Sequence, residues 1–226
     1  MSKNQEPLPD WEAVISAASH LQEILPGAVL VGGTASALYA HHRFSSDADH
    51  VLTDLSTRFD QVLEDLESIS GWTTARVRRP VLILGSLDGI ETGVRQLIRK
   101  APLETVDLQI GNHIVKVPTQ EEILRIKAVL ILKRNATRDY VDFVALANHL
   151  GNNQAVIALR SLEELYPQEA GESPLQQLQI QLSNPLPFDL EETQLSEYKN
   201  LDAQWHEWGS VAQSCSAIST LIFESF

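Results

Sequence analysis

With 226 residues, 43% of them apolar, the chain is long enough to bury a sizeable core, and we expect a domain with a helical appendage. Its single cysteine excludes a disulfide framework and a cysteine-based zinc cage. The sequence has no signal-like start and no run of about 18 apolar residues, so we expect a soluble, cytoplasmic protein without a membrane span. The net charge of −13 argues against general nucleic-acid binding through positive charge alone.

The first half of the chain alternates helices and strands. Residues 11–24 space their apolar positions as an amphipathic helix, and Pro26-Gly27 ends it. A short buried strand at 28–31, two glycines and an alanine-rich helix at 34–41 then form a strand, glycine turn and helix unit. Further strands are predicted at 48–52, 81–84, 105–110 and 113–117, and a further helix at 56–68.

The second half is predicted to be mainly helical. Thr119 can cap a helix, with Glu122 three residues later as in a capping box. More helices are expected at 138–150, 154–165 and 203–223, and an irregular linker at 167–187 whose portion 175–182 can be helical. The pattern therefore predicts an α+β fold, a mixed β-sheet flanked by helices over residues 1–118 and a helical region over 119–226.

Two glycines lie between a strand and a helix. Gly32 and Gly33 let backbone N–H groups approach an anion, and the following helix directs its positive dipole end to the same place. A strand-to-helix turn also favours glycine for steric reasons, so this turn alone is weak evidence for phosphate binding.

Two aspartates follow the strand, glycine turn and helix unit: Asp49 lies on the predicted strand at 48–52, and Asp47 lies directly before it. Asp47 and Asp49 point to one face of a strand, roughly 6.6 Å apart at Cα. Such like charges repel unless a cation lies between them, and Mg²⁺ prefers carboxylate, phosphate and water oxygens. The alternative is a solvated turn, because Ser45-Ser46-Asp47 is also good turn chemistry.

A third carboxylate is expected on the strand at 105–110. Asp107 lies on the face opposite Val106 and Leu108, and its position on a neighbouring strand can complete a triad as a base or metal ligand. Glu104 competes for this role. An exposed strand carboxylate without any function is an equally good interpretation.

These pieces together resemble the polymerase-beta-type nucleotidyltransferase superfamily, and within it the AbiEii/AbiGii-type toxin family. The resemblance is carried by GGTASALYAHHRFSSDAD, by the strand with Asp107 and by ILRIKAVLILKRNATRDYVDFVAL, and it covers roughly residues 25–150. It implies a nucleotidyltransferase-type mixed sheet with a C-terminal mainly helical region, in which residues 119–150 complete the active site. His50, after the aspartates, departs from the family pattern, where an apolar strand residue is usual.

The resemblance also implies roles for particular residues. Asp47 and Asp49 hold magnesium, and Asp139 and Asp142 match a further acidic motif. The residues expected to bind the nucleoside triphosphate are Gly32, Gly33, Thr34 and Lys127.

Cations on the helices after residue 119 are compatible with a phosphate site. Lys127, Arg134 and Arg138 are spaced seven and four apart and can share one side of a helix or helix turn, which adds Arg138 to the candidate nucleotide-binding residues. The alternative pairs Arg138 with Asp142 in a surface salt bridge of little energetic value.

The basic residues are unevenly distributed. Twelve of the 17 lie between Arg76 and Arg138, whereas residues 151–226 hold two against eleven carboxylates. Ordinary solvated helix faces explain this distribution, and so does one basic face for a nucleic acid.

The motifs and the resemblance together predict a magnesium-dependent nucleotidyltransferase that uses a nucleoside triphosphate. By resemblance, its acceptor is RNA or tRNA and its partner is an antitoxin. The rivals are a non-catalytic binding module, a transferase acting on protein or a small molecule, and an acidic helical scaffold.

Overall fold

A computed structural model of the chain describes residues 10–168 and 171–225. By their internal contacts, the described residues form two compact units. The sheet unit contains the residues up to Thr34, Ser45–Lys100 and Thr105–Val117. The helical unit contains Ala35–Phe44, Ala101–Glu104 and the residues from Pro118 onward. The expected α+β class is confirmed.

Seven strands lie in the described part of the chain. They are β1 Val29–Leu30, β2 Ala48–Leu52, β3 Trp72–Arg78, β4 Leu82–Leu87, β5 Ile90–Gln96, β6 Thr105–Ile110 and β7 His113–Pro118. The first five form a sheet of order β1-β2-β5-β4-β3, in which β2 and β5 are parallel and the other pairs antiparallel. Strands β6 and β7 form a separate two-stranded sheet.

The helices fall mostly where the apolar periodicity predicts them. They are α1 Trp11–Ile24, α2 Gly32–Ala40, α3 Phe59–Glu67, α4 Gln120–Arg134, α5 Thr137–Leu150, α6 Asn152–Leu159, α7 Leu162–Leu165, α8 Pro174–Ser183 and α9 Trp208–Glu224, with 3-10 turns at Leu195–Glu197 and Ala203–Trp205. The capping prediction for α4 is confirmed, because Thr119 Oγ1 accepts the N–H of Glu122 at 3.2 Å. None of the helices described is long and apolar enough to cross a membrane.

Strands β3 and β5 were not predicted. β3 is an exposed edge strand without a regular apolar alternation, and pairing with β4 defines it. β5 contains Gly93, which disfavours a strand locally. In the structure glycine is required there, because a Cβ would lie 2.5 Å from Leu84 Cδ2 and 2.7 Å from the Ile83 carbonyl oxygen.

The core of the sheet unit lies on one face of the sheet. Along β2, Ala48, His50 and Leu52 are buried, whereas Asp49 and Val51 are partly exposed. Leu52 packs in one cluster with residues of α1, α3, β4 and β5, including Leu21, Val62, Ile83 and Val94. The other face of β2 is therefore the one that presents charged side chains to solvent.

Candidate active site

The glycine turn lies directly beside one of the two aspartates. β1 ends at Leu30, α2 begins at Gly32, and the backbone N–H of Val31 donates to the Asp49 carbonyl oxygen at 2.8 Å. Gly32 has φ +75°, a left-handed conformation that favours glycine. An ideal Cβ at Gly32 would lie 3.6 Å from Asp49 Oδ2. The turn thus brings the N-terminus of α2 next to a carboxylate and adds no side chain there.

Asp47 is fixed by two hydroxyl groups within the sheet unit. Ser45 Oγ donates to Asp47 Oδ1 at 2.5 Å, and Thr34 Oγ1 donates to the Asp47 carbonyl oxygen at 2.5 Å. The Thr34 side chain is buried, so its hydroxyl positions the aspartate backbone. The role of Thr34 in binding the triphosphate stays a prediction.

The donor set fits a hard divalent cation. Asp47 and Asp49 offer carboxylate oxygens from alternate positions of one extended segment, and both side chains are partly exposed. Within residues 10–168 and 171–225, no group of three or more His, Cys, Asp or Glu side chains has the spacing of a metal site. The described residues therefore provide a pair of carboxylates here, and a bound cation would need further oxygens from substrate and water.

The expectation that Asp107 completes a triad from a neighbouring strand is wrong. The neighbours of β2 in the sheet are β1 and β5, whereas β6, which carries Asp107, pairs with β7. The error follows from the missed β5, which occupies the place next to β2. Glu104, the competitor, has a different partner, since its Oε2 accepts from Arg125 Nη2 at 2.6 Å in the helical unit.

A cation that sequence reasoning missed lies on β5. Asp49 pairs in register with Gly93 and Val51 with Arg95, so Arg95 shares the face of Asp49. Arg95 Nε lies 4.0 Å from Asp49 Oδ1, with side chains 48% and 32% exposed, respectively. The signal that predicts this strand is Asp88-Gly89 between two apolar segments, where both residues have positive φ and form the β4–β5 turn.

A buried charge cluster lies in the helical unit and is centred on Asp142 of α5. The Asp142 carboxylate is fully buried and accepts from His42 Nε2 at 2.8 Å, from Arg43 Nε at 2.7 Å and Nη2 at 3.0 Å, and from Lys127 Nζ at 2.6 Å. Burial by itself raises the pKa of Asp142, but Arg43, Lys127 and His42 together hold the pKa well below its ordinary value of 3.8. Asp142 is therefore an anion that organises three surrounding side chains.

The structure does not present Lys127 as a free cation. Its side chain is 3% exposed, and its ammonium lies 2.6 Å from Asp142 and 3.4 Å from the buried Asp139. Asp139 also accepts from Arg134 at 2.9 and 3.1 Å. Two carboxylates of α5 therefore neutralise this lysine in the structure. The nucleotide-binding role of Lys127 stays a prediction.

Arg138 is exposed on α5, whereas Asp142 is buried and bound to other cations. The alternative of a surface salt bridge between these two residues is therefore wrong. Lys127 and Arg134 belong to α4, which ends at Arg134, and Arg138 belongs to the next helix. The nucleotide-binding role of Arg138 stays a prediction.

The acidic C-terminal region holds the loop that carries Arg43. Within the helical unit, the N–H of Phe44 donates to the Lys199 carbonyl oxygen at 2.8 Å, and the N–H of Asp202 donates to the His42 carbonyl oxygen at 2.7 Å. The Lys199 ammonium lies 4.0 Å from the centroid of the Phe44 ring. These contacts fix the backbone on both sides of Arg43 and give this region a structural role that its sequence did not indicate.

Burial of His50 predicts an acid-sensitive sheet unit. Its burial lowers the pKa to about 4 from an ordinary 6.5, while the nearby backbone of Ala48 and Ala18 raises it by less. The folded pKa is below the unfolded one, so the unfolded chain gains the proton first as the pH falls below 6.5. Between pH 6.5 and 4, the free energy of unfolding is expected to fall by roughly 3 kcal/mol through His50.

Denaturant unfolding at several pH values checks this prediction. The His50→Leu variant is expected to lose less stability than wild type between pH 6.5 and 4.5. His149→Gln, which removes an exposed imidazole of α5, is the control and is expected to keep the wild-type slope. Equal pH slopes for wild type and His50→Leu would show that His50 does not cause the acid sensitivity.

The mixed sheet and the helices around it form a nucleotidyltransferase-type fold. Two solved structures share this fold. A crystal structure described as a nucleotidyltransferase from H. pylori gives a TM-score of 0.56 and 18% sequence identity, and the match covers 95% of this chain and 93% of that chain. ANT(2″)-Ia in complex with adenylyl-2″-tobramycin gives a TM-score of 0.50 and 12% identity, over 67% of this chain and 96% of that chain.

The chain belongs to the nucleotidyl transferase AbiEii toxin family, Type IV TA system, whose family model matches residues 18–216. Curated proteins also match over a shorter segment. The mycolic acid-containing lipids exporter MmpL11 of Mycolicibacterium smegmatis is 30% identical over 133 residues, and the heme uptake protein MmpL11 of Mycobacterium tuberculosis is 30% identical over 130 residues. Each match covers 56% of this chain, and the chain spans only 13% of the length of these relatives.

Proposed function

We propose that the chain transfers a nucleoside monophosphate from a nucleoside triphosphate to an acceptor hydroxyl, with Mg²⁺ as cofactor. The observation that carries this proposal is the position of Asp49 beside the glycine turn, with Asp47 fixed by Ser45 two residues away in sequence. Asp47 and Asp49 would hold the ion, which lowers the pKa of a bound hydroxyl and stabilises negative charge on phosphate. Gly32 and Gly33 open α2, whose N-terminus favours a phosphate group.

An RNA acceptor, such as tRNA, is supported by the distribution of arginines on the sheet. Arg76 and Arg78 are exposed on the edge strand β3, and they pair in register with Leu84 and Leu82. On the other side of β4, Leu84 pairs with Gly93 of β5 and Leu82 pairs with Arg95 of β5. The exposed arginines thus share the sheet face of Asp49, where they suit a phosphate backbone in a protein that is otherwise acidic. RNA binding of this kind is expected to weaken as salt rises.

Family membership supports a proposal for the role of this activity. The family is described as a toxin of a Type IV TA system. We propose that the chain acts as a toxin in the cytoplasm and that an antitoxin protein counteracts it. Modification of a small molecule is the second candidate, because the ANT(2″)-Ia structure contains an adenylylated tobramycin.

The experiment incubates purified protein with each of four labelled nucleoside triphosphates, Mg²⁺ and total RNA at several salt concentrations. Wild type is compared with the Asp47→Ala, Asp49→Ala double variant. Label that enters RNA only with wild type would support the transferase and identify its nucleotide. Magnesium-dependent nucleotide binding without transfer would favour a different acceptor or a non-catalytic binding module.

A further inference from the structure

Arg95 occupies a special place in the sheet unit. The strand order puts Asp49 between β1, which leads into the glycine turn, and β5, which carries Arg95. The position on β5 in register with Asp49 is Gly93, which has no side chain and tolerates none, because a Cβ would clash with Leu84. Asp49 therefore has Gly32 on one side. On the other side lies β5, where Gly93 carries no side chain and Arg95, with its guanidinium, follows two residues later.

We propose that the Arg95 guanidinium binds a phosphate oxygen of the nucleoside triphosphate, an inference that rests on the proposed function. Two carboxylates cancel the charge of one Mg²⁺, so the negative charge of a triphosphate still needs cations. The described residues contain no third carboxylate in metal-binding distance of the pair that would help to hold a second ion. The Arg95 guanidinium on the same face supplies positive charge at this place, and its planar donors match phosphate oxygens.

The geometry of the Arg95–Asp49 pair agrees with such a role. Its 4.0 Å separation is long, and both side chains are partly exposed, so the pair contributes little to stability. In contrast, Arg43 bonds the buried Asp142 through two nitrogens at 2.7 and 3.0 Å, as a structural arginine does. Arg95 therefore keeps donors that can turn toward an incoming anion.

The test measures binding of each nucleoside triphosphate to the full chain with Mg²⁺ and without acceptor, by isothermal titration calorimetry. Arg95→Gln is expected to weaken the triphosphate that wild type binds by roughly 10- to 100-fold, because a charge-assisted hydrogen bond is lost. Arg95→Lys keeps the charge, and its triphosphate affinity is expected to lie between those of wild type and Arg95→Gln. The matched control is Arg58→Gln, because Arg58 is also a partly exposed arginine that is paired with an aspartate, Asp54. The triphosphate affinity of Arg58→Gln is expected to equal that of wild type.

Two further readouts separate phosphate binding from a structural role. Thermal unfolding without ligand is expected to give the same midpoint for Arg95→Gln and wild type. Mg²⁺ with inorganic triphosphate is expected to compete with the nucleotide on wild type and to compete less well on Arg95→Gln. Equal nucleotide affinity for wild type and Arg95→Gln would overturn the role of Arg95 while leaving the transferase intact. A wild type that binds none of the four triphosphates would overturn the proposed function and this inference together.

Discussion

The Asp49→Asn variant is expected to lose nucleotidyl transfer by about 1,000-fold, with its fold intact. Asparagine keeps the shape of the side chain but removes the charge that attracts a divalent cation. Asp49 is partly exposed, and removal of one of two neighbouring like charges relieves repulsion in the protein without metal. The thermal midpoint without Mg²⁺ is therefore expected to stay equal or to rise, and the label-transfer assay and thermal unfolding measure the two effects.

Magnesium provides a readout that does not depend on turnover. A ligand that binds only the folded state raises the free energy of unfolding as its concentration exceeds Kd. Wild type is therefore expected to gain thermal stability with Mg²⁺ and nucleotide, and Asp49→Asn to gain much less. Glu64→Gln, which changes an exposed carboxylate on α3, is the control and is expected to behave as wild type. Full magnesium-dependent stabilisation of Asp49→Asn would contradict the assignment of Asp49 as a metal ligand.

Local patterns were sufficient to predict the elements around the glycine turn. β2 has the predicted bounds, because its buried and exposed residues alternate with period two. α4 begins after Thr119 and ends at Arg134, and the next residue, Asn135, has the positive φ of a helix cap that asparagine tolerates. These features depend on neighbours in sequence, and so one sequence reveals them.

The missed parts depend on partners that are distant in sequence. Gly93 disfavours a strand by propensity, and only its packing against Leu84 explains why glycine is needed. Without β5, the sequence places the strand of Asp107 next to β2 and leaves Arg95 outside the sheet. One missed strand therefore produced both the wrong third carboxylate and the missing cation.

Lys127 illustrates a second limit of sequence reasoning. A lysine on a helix face is usually exposed, and spacing within α4 gives no information about α5. The structure buries this lysine because Asp139 and Asp142 approach it from the next helix. The resemblance identifies the acidic motif in the sequence, but only the contact between α4 and α5 reveals its partners.

The Asp142→Asn variant is expected to be among the least stable single variants of the helical unit. Asp142 is the common acceptor of His42, Arg43 and Lys127, and a neutral side chain there removes the anion that these three side chains surround. Of its two carboxylate partners, Lys127 then keeps only Asp139, at 3.4 Å. Breaking a buried pair in this way costs about 3–5 kcal/mol, which corresponds to roughly 10 °C in the unfolding midpoint for a chain of this size. Differential scanning calorimetry at neutral pH measures this loss.

Lys127→Met distinguishes a cluster centred on Asp142 from a set of equal pairs. Without Lys127, Asp142 keeps Arg43 and His42, and Asp139 keeps Arg134. The loss of stability is therefore expected to be less than half of that in Asp142→Asn. Glu164→Gln, an exposed carboxylate of the same unit, is expected to change the midpoint little. Equal losses in Lys127→Met and Asp142→Asn would show that Asp142 is not the centre of the cluster.

Acid provides an independent test of the same carboxylate. Arg43, Lys127 and His42 hold the pKa of Asp142 well below 3.8 in the folded protein, so the unfolded chain takes up this proton first as the pH falls. The stability that the charged carboxylate contributes is therefore present above pH 3.8 and is lost as the pH falls toward the folded pKa. The difference in unfolding free energy between wild type and Asp142→Asn is expected to be constant near neutral pH and to shrink below pH 3.8. A difference that stays constant below pH 3.8 would mean that the charge of Asp142 does not cause the stabilisation.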